Sequence, residues 1–444
     1  MTARWLERRA RFPLEITIFE ASGRLGGKVM TGRFESAPVS YEAGVAELYH
    51  YDTYVDPLRA LVDELGLPTK PLAGSSVVID GRIIREPSDM GRVLGAEALR
   101  AVETFERRGE RLRPYRAFYN GGSRSDNLHP YSAVPFSALL DPLASETARR
   151  YITVKTRSDL ASEPHNVSAL YGIDNLLLDR YVSYYSLEGG IETLPRTIAA
   201  KLSAQVRLHA PVMHVEQVAS GRYRVVHRAP GGTDSAVFDA VAVALPNPFL
   251  PTISWGGARL AEAMSRHHAH YDFPAHYLRI TALFEKPFWR RSIPGDYFLH
   301  DAFGGCCVYD EGRRFATGGR GVLSWLLAGS DALRMHSAED HELVGMALDA
   351  LPPTVAHGRA LFLEGRVNRW IGAVSSRPGG RRIRTHSERH QPAPETHPGL
   401  VLVGDYLFDS TLNGVMDSAD VASGYLLKHL KQVTPARAPK RRTA

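Results

Sequence analysis

Near the start of the chain a short apolar run, I-T-I-F, ends on an acid, Glu20, and passes at once into the stretch A-S-G-R-L-G-G-K. The run reads as a buried strand, and the stretch after it as a glycine-rich basic turn. Residues 2–9 ahead of it are helix formers, so the order is helix, strand, acid, glycine turn. In a glycine-fingerprint βαβ unit, an acid at the end of the second strand accepts hydrogen bonds from a ribose, about 20 residues beyond the glycines. Glu20 stands where that acid belongs. Counting back reaches Met1, and no G-x-G-x-x-G precedes the helix. The expectation is an α/β fold with a discontinuous Rossmann-like nucleotide domain whose first strand and GxGxxG loop are missing, beside an α+β substrate domain.

The rest of the chain supports that class. P-L-R-A-L-V-D-E-L-G-L predicts an amphipathic helix closed by Gly66, and S-S-V-V-I-D-G-R-I-I-R-E predicts a hairpin turning at Asp80-Gly81. A loop-rich, helical region follows to about residue 185. V-R-L-H-A-P-V-M-H-V-E-Q through R-V-V-H-R alternates like a meander, and F-D-A-V-A-V-A-L-P reads as a buried parallel strand. G-L-V-L-V-G-D-Y predicts a second such strand near the C-terminus, before a final helix. Strands alternating with helices at both ends of the chain argue for one α/β domain assembled from distant segments. The expected boundaries are 1–50, 186–260 and 388–432 for the nucleotide domain, and 51–185 with 261–387 for the substrate domain.

Composition narrows the function. Of the formal net charge of +6, Arg437, Lys440, Arg441 and Arg442 lie in the last eight residues. The body is close to neutral, which argues against a nucleic-acid binder, and residues 433–444 read as a disordered basic tail. The two cysteines, Cys306 and Cys307, are adjacent, which excludes a disulfide scaffold and a cysteine-rich metal site; no metal is expected. No secretory leader is legible and no apolar run is long enough to span a bilayer, so a cytoplasmic protein without an integral membrane segment is expected.

Two segments at opposite ends of the chain carry a resemblance. I-T-I-F-E-A-S-G-R-L-G-G-K-V-M-T resembles the signature after the first βαβ of the flavin-containing amine oxidases and their relatives, the protoporphyrinogen oxidases and phytoene desaturases. G-L-V-L-V-G-D-Y-L-F-D-S-T-L-N-G-V-M-D-S-A-D-V-A-S-G resembles the closing motif of the same superfamily. L-E-G-G-I-E-T-L-P and F-D-A-V-A-V-A-L-P sit where that superfamily has similar segments. The resemblance is weakest over residues 85–180.

It implies FAD as cofactor, a small-molecule substrate, and oxygen or another acceptor for the electrons. Glu20 would bind the adenosine ribose. Arg24, Gly26, Gly27 and Lys28 would lie along the diphosphate. Gly44, Val45, Ala46 and Glu47 match the turn that runs under the flavin ring, and Val212 matches the residue that holds the adenine. Gly404 and Asp405 match the acid motif near the ribityl chain. Asn413, Gly414 and Val415 would open the last helix, with their N–H groups and the helix dipole toward the flavin. Trp370 and Tyr406 are candidate substrate residues.

One departure concerns catalysis. The family lysine nine residues before the Phe of a Phe-Trp pair is replaced here by Arg279, ahead of Phe288-Trp289. An arginine cannot act as a base, yet its fork can grip a carboxylate or a water; the other reading is an ordinary ion-paired strand residue. The aromatic cage of the amine oxidases is also not legible, because Val415 follows the helix-opening glycine. The expected reaction is hydride transfer from a substrate C–H to flavin N5 during oxidation of an amine or amino acid. The alternatives are C–C desaturation of an apolar substrate, or a truncated non-catalytic homologue with impaired FAD binding. The apparent lack of the glycine loop leads to the expectation of a start assigned too late or of weakened FAD binding. The sequence does not fix the oligomeric state.

Overall fold

The computed structural model describes residues 1–51, 56–74, 76–119 and 124–433; the tail expected to be disordered lies, but for Val433, outside them. The chain divides into two compact units, each built from distant segments. The first comprises residues 1–25, 198–272 and the chain from Arg384 on; the second comprises 26–197 and 273–383.

The first unit is built on parallel strand pairs. Thr17–Phe19 pairs in parallel with Gln205–Arg207, and Val241–Val243 in parallel with Leu400–Leu402. Parallel pairing between segments so far apart in sequence requires crossovers, and helices supply apolar cover for such a sheet. Leu6 of the helix Thr2–Arg9 packs with Val401, Val403, Ala419 and Ala422, the last two on the helix Leu412–Val433. The expected meander is a four-stranded sheet in the order 232–238, 223–229, 212–217, 254–255. Its predicted first strand separates: Gln205–Arg207 leaves for the parallel pair. His209 takes a left-handed φ of 53°, and Pro211 offers no N–H to a ladder, so the run breaks between them.

The second unit centres on a seven-stranded sheet in the order 362–375, 274–284, 321–328, 306–310, 297–300, 76–79, 82–84. The predicted hairpin forms its edge, with Asp80 and Gly81 at φ 50° and 70° as a tight two-residue turn requires. The strand Pro274–Phe284 alternates strictly. Leu278, Ile280, Ala282 and Phe284 face a core shared with Leu343, Val344, Ala347 and Leu348 of the helix Asp340–Asp349. The cross-strand partners put Tyr277, Arg279 and Thr281 on the opposite face, together with Ser324, Leu326, Cys307, Tyr309, Tyr297 and Leu299. One face of the sheet is thus an apolar core and the other a mixed face, where Arg279, Thr281 and Ser324 stand beside Leu326, Cys307 and Tyr309. Both cysteines are free and buried, one on each face.

Residues 26–50 were read from sequence with the nucleotide domain. They group with the second unit, where Phe34, Val39 and Tyr41 pack on Leu283 and Val322 of the large sheet. Residues 261–272, read with the substrate domain, group with the first unit, where Met264 and Tyr271 pack with Leu400 and Leu402.

Candidate functional site

In the first unit the strand Thr17–Phe19 delivers Glu20 to its end, where Glu20 N–H donates to Arg207 O at 2.9 Å. One carboxylate oxygen, Oε1, accepts from both the backbone N–H and the hydroxyl of Ser22, each at 2.7 Å. The hydroxyl of Ser22 also lies 2.9 Å from Arg24 O, so this serine fixes the acid and the turn together. Among the described residues, Oε2 takes no hydrogen bond. A strand-end carboxylate with one oxygen tied and one open fits a ribose hydroxyl. Val212 begins its strand and packs with Phe19 in the same core. Gly404 follows the parallel strand Leu400–Leu402, its N–H bonded to the hydroxyl of Ser418 at 2.9 Å, and Asp405 next to it is buried.

Two expectations for this unit change. Tyr406 was read as a substrate residue. It is 6% exposed, its hydroxyl lies 3.1 Å from His267 Nε2, and its ring meets His267 and Tyr271 edge-on. Both ends of the side chain are engaged inside the unit, because burying a tyrosine requires a partner for its hydroxyl. Asn413, Gly414 and Val415 do open the last helix, but two of their N–H groups are spent locally. Gly414 donates to the hydroxyl of Thr411 at 3.1 Å, and Val415 to Thr411 O at 3.1 Å. Thr411 is the helix cap, which leaves the dipole rather than these two donors to face an anion.

In the second unit the geometry converges on the turn 43–47. Its backbone hangs on the preceding strand segment: Ala43 and Gly44 donate to Met30 O, and Val45 to Lys28 O at 3.1 Å. A Cβ on Gly44 would stand 1.9 Å from Lys28 O, so only glycine fits. Three side chains then fasten three carbonyls of the turn. The Trp370 indole donates to Ala43 O at 2.7 Å, Arg279 Nη1 to Gly44 O at 2.9 Å, and Arg314 Nη1 to Ala46 O. Lys28 itself donates to Ala373 O at 2.8 Å. Gly26 and Gly27 hold φ of 117° and 55°, and the space where a Gly27 Cβ would stand is empty to 4 Å; this is the open, left-handed backbone a diphosphate cradle needs.

Arg279 is fully buried and spends its fork three ways. Nε donates to Ser324 Oγ at 2.7 Å, Nη1 to Gly44 O, and Nη2 to the fully buried Glu311. The reading in which it grips a substrate carboxylate finds no free side of the fork; the ion-paired reading describes what it does. Tyr309 lies between the two guanidinium groups, with ring centre to carbon distances of 5.2 Å for Arg279 and 4.7 Å for Arg314. The Tyr309 hydroxyl is bonded to Glu47, whose pKa is raised because burial outweighs that bond and the two arginines. Glu42 is fully buried and accepts from Ile191 N–H at 2.8 Å and Thr31 Oγ1 at 3.1 Å. Burial, then the charge of Glu311, pushes its carboxyl up to about 7.

Sequence reading missed Ser22, Thr411, Glu42, Glu311 and Arg314. Ser22 and Thr411 had a local signal, a hydroxyl beside an acid and a hydroxyl before a helix. The other three had none, because their partners lie far along the chain.

A discontinuous parallel-stranded unit with a strand-end acid, together with a large-sheet unit carrying a glycine turn, defines the class of flavin-dependent oxidoreductases. The chain belongs to the flavin-containing amine oxidoreductase family, whose model matches residues 1–427, and its cofactor is FAD. Its fold matches solved structures of putrescine oxidase with putrescine bound (TM-score 0.73, 18% identity, 96% of each chain covered) and of cyclohexylamine oxidase from Brevibacterium oxydans IH-35A (TM-score 0.73, 17% identity, 97% of this chain and 96% of that one). It is 26% identical over 318 residues to a protein of Mycobacterium tuberculosis, AofH, whose name assigns it to the flavin-containing monoamine oxidases. That match covers 68% of this chain and 65% of the relative. Among the described residues no helix is long and apolar enough to cross a membrane, and no group of His, Cys, Asp or Glu is arranged to hold a metal.

Proposed function

We propose that the chain oxidises an amine at the carbon bearing the nitrogen, rather than an α-amino acid or an apolar substrate undergoing desaturation. The observation that carries this is the charge balance on the mixed face of the large sheet. Arg279 there is committed on all three nitrogens, to Gly44 O, Ser324 and Glu311, whereas Arg314 donates to Ala46 O and its Nε and Nη2 make no hydrogen bond among the described residues. Arg279 therefore has no nitrogen left over for a substrate carboxylate. Glu47, by contrast, has a tyrosine hydroxyl on it and no ion pair among the described residues, and burial raises its pKa in spite of the charges of Arg314 and Arg279. An alkylammonium supplies what is missing.

Bound FAD would supply the two-electron acceptor for the carbon–hydrogen bond next to nitrogen. Within the first unit, Glu20, Arg24, Val212, Gly404, Asp405 and the opening of the last helix would hold it. Arg279, Arg314 and Trp370 act as positioning residues, fixing the turn through its carbonyls. Glu47 accepts a proton or a cation at its carboxylate. With no lysine in the Arg279 position, substrate deprotonation falls to a carboxylate of this face or to solvent.

Incubating the FAD-loaded protein with n-butylamine and assaying the aldehyde that follows imine hydrolysis tests the reading. Aldehyde formation supports it. Turnover of L-alanine with none of butylamine would show that an anion site exists after all.

A further inference from the structure

The strand leading into the turn 43–47 ends on Glu42, which is fully buried and gripped from two sides within the second unit. Thr31, its cross-strand partner, donates its hydroxyl to Oε2 at 3.1 Å. The loop 188–192 donates the N–H of Ile191 to Oε1 at 2.8 Å. The same loop is fastened to Thr31 by Glu192, whose Oε2 accepts from Thr31 N–H at 2.8 Å. Gly190 holds a φ of 98° and lies so close that a Cβ there would stand 2.3 Å from Thr31 Oγ1. One carboxyl group thus ties three segments together, the strands Thr31–Arg33 and Ser40–Glu42 and the loop 188–192.

The surroundings decide what charge this carboxyl can carry. Glu311 accepts from the N–H of Glu42 at 3.4 Å, and its charge bears on the Glu42 side chain. The two guanidinium groups nearby are turned elsewhere: Arg279 donates to Gly44 O, Ser324 and Glu311, and Arg314 to Ala46 O. Glu192 adds a further acid on the loop side. Among the described residues Glu42 has no ion pair. Burial first, then Glu311, lift its pKa to about 7, against the Ile191 bond and the two arginines. A buried carboxylate without a cation is costly, so ionisation favours any local movement that brings water to it. The loop offers that movement, because Glu188 and Gly189, just ahead of Ile191, are exposed.

We propose that Glu42 is a pH-sensitive latch, a positioning residue that holds the loop 188–192 on the strand entering the turn 43–47 while protonated and releases it when ionised. In the closed form Oε1 takes the Ile191 N–H, and Oε2 and the Thr31 hydroxyl share a hydrogen bond. When the proton leaves to solvent, the loop lifts and water reaches the carboxylate. The turn keeps its ties to Arg279, Arg314 and Trp370 but loses the brace at its entry. The latch does not depend on which substrate is oxidised.

Hydrogen exchange of the Ile191 amide in the FAD-loaded full chain, corrected for the intrinsic effect of pH, tests it without turnover. The closed form holds its proton more tightly than the open one, so closure is favoured most below the ordinary carboxylate range. Protection of Ile191 therefore falls by up to about tenfold per pH unit from about 4.5 to about 7 and levels off above. Ile191 exchanges faster than Ile280, at the centre of the large sheet, throughout that range. In Glu42→Gln the protection of Ile191 is level. The infrared band of a protonated carboxyl disappears in the unmodified chain with a midpoint of about 7. Level protection in the unmodified chain overturns the latch, and so does a slope that survives in E42Q. Exchange of Ile191 at the same rate as Ile280 overturns it too, by making the opening global. If E42Q does not fold, the infrared band decides: its loss without the matching change in Ile191 exchange overturns the latch.

Discussion

The two units hold their candidate site residues by different means. In the first, Glu20, Gly404 and the last helix are organised by neutral hydroxyls from Ser22, Ser418 and Thr411, each acting over a short span of chain. In the second, the turn 43–47 is held by buried guanidinium groups, Arg279 and Arg314, arriving from more than 230 residues away. Hydroxyl caps are individually worth about 1 kcal/mol. A buried ion pair contributes little net stability when intact, but removing one partner leaves an uncompensated charge at a cost of about 3–5 kcal/mol. The first unit should therefore tolerate change at its site, and the second should not.

Arg279→Met carries the largest expected effect. It leaves Glu311 with Arg314 alone, at 3.8 Å and without a hydrogen bond, and frees Gly44 O, so chemical denaturation should show a loss of about 3 kcal/mol, with Arg279→Lys falling short of full rescue because an ammonium cannot serve three partners at fixed angles. A loss below about 1 kcal/mol would break the contrast by showing that this network is screened like a surface pair.

The next effect is a pH dependence. Burial and the neighbouring Glu311 raise the Glu42 carboxyl from 4.5 to about 7 in the folded chain. The folded state then holds that proton more tightly than the unfolded one. Its contribution is full below the ordinary carboxylate range and is lost as pH rises from about 4.5 through about 7, a decline on the order of 3 kcal/mol. Glu42→Gln should flatten this part of the stability curve while one amide oxygen still accepts from Ile191. A wild-type curve that rises across the same window would place the dominant titration elsewhere.

The smallest effect belongs to the first unit. Glu20→Gln should leave the melting temperature within error, since the side chain is partly exposed and Ser22 can bond an amide oxygen. FAD affinity should drop about tenfold, the cost of one charged hydrogen bond to a ribose. Unchanged affinity would remove Glu20 from the nucleotide site.

The same contrast explains what the sequence could show. The strand Thr17–Phe19, its terminal acid, the Asp80-Gly81 turn and the parallel strands at 241–243 and 400–402 were all readable, because each depends on local alternation, turn chemistry or a contiguous motif. The side-chain direction of Arg279 was readable too, since alternation along 274–284 puts it on the mixed face. Its role was not. Whether a guanidinium grips a substrate or a backbone turn depends on Gly44, Ser324 and Glu311, and no spacing rule links those positions. Tyr406 was misassigned for the same reason: only the fold brings His267 and Tyr271 against it.

The central claim is that a flavin held by this chain takes electrons from amines, with no anion grip supplied by Arg279. Anaerobic mixing of the FAD-loaded protein with n-butylamine and, separately, with L-alanine tests it by the bleaching of the flavin's visible absorbance. The account predicts bleaching by the amine and none by the amino acid. Bleaching by L-alanine alone, abolished in Arg279→Lys, would contradict it.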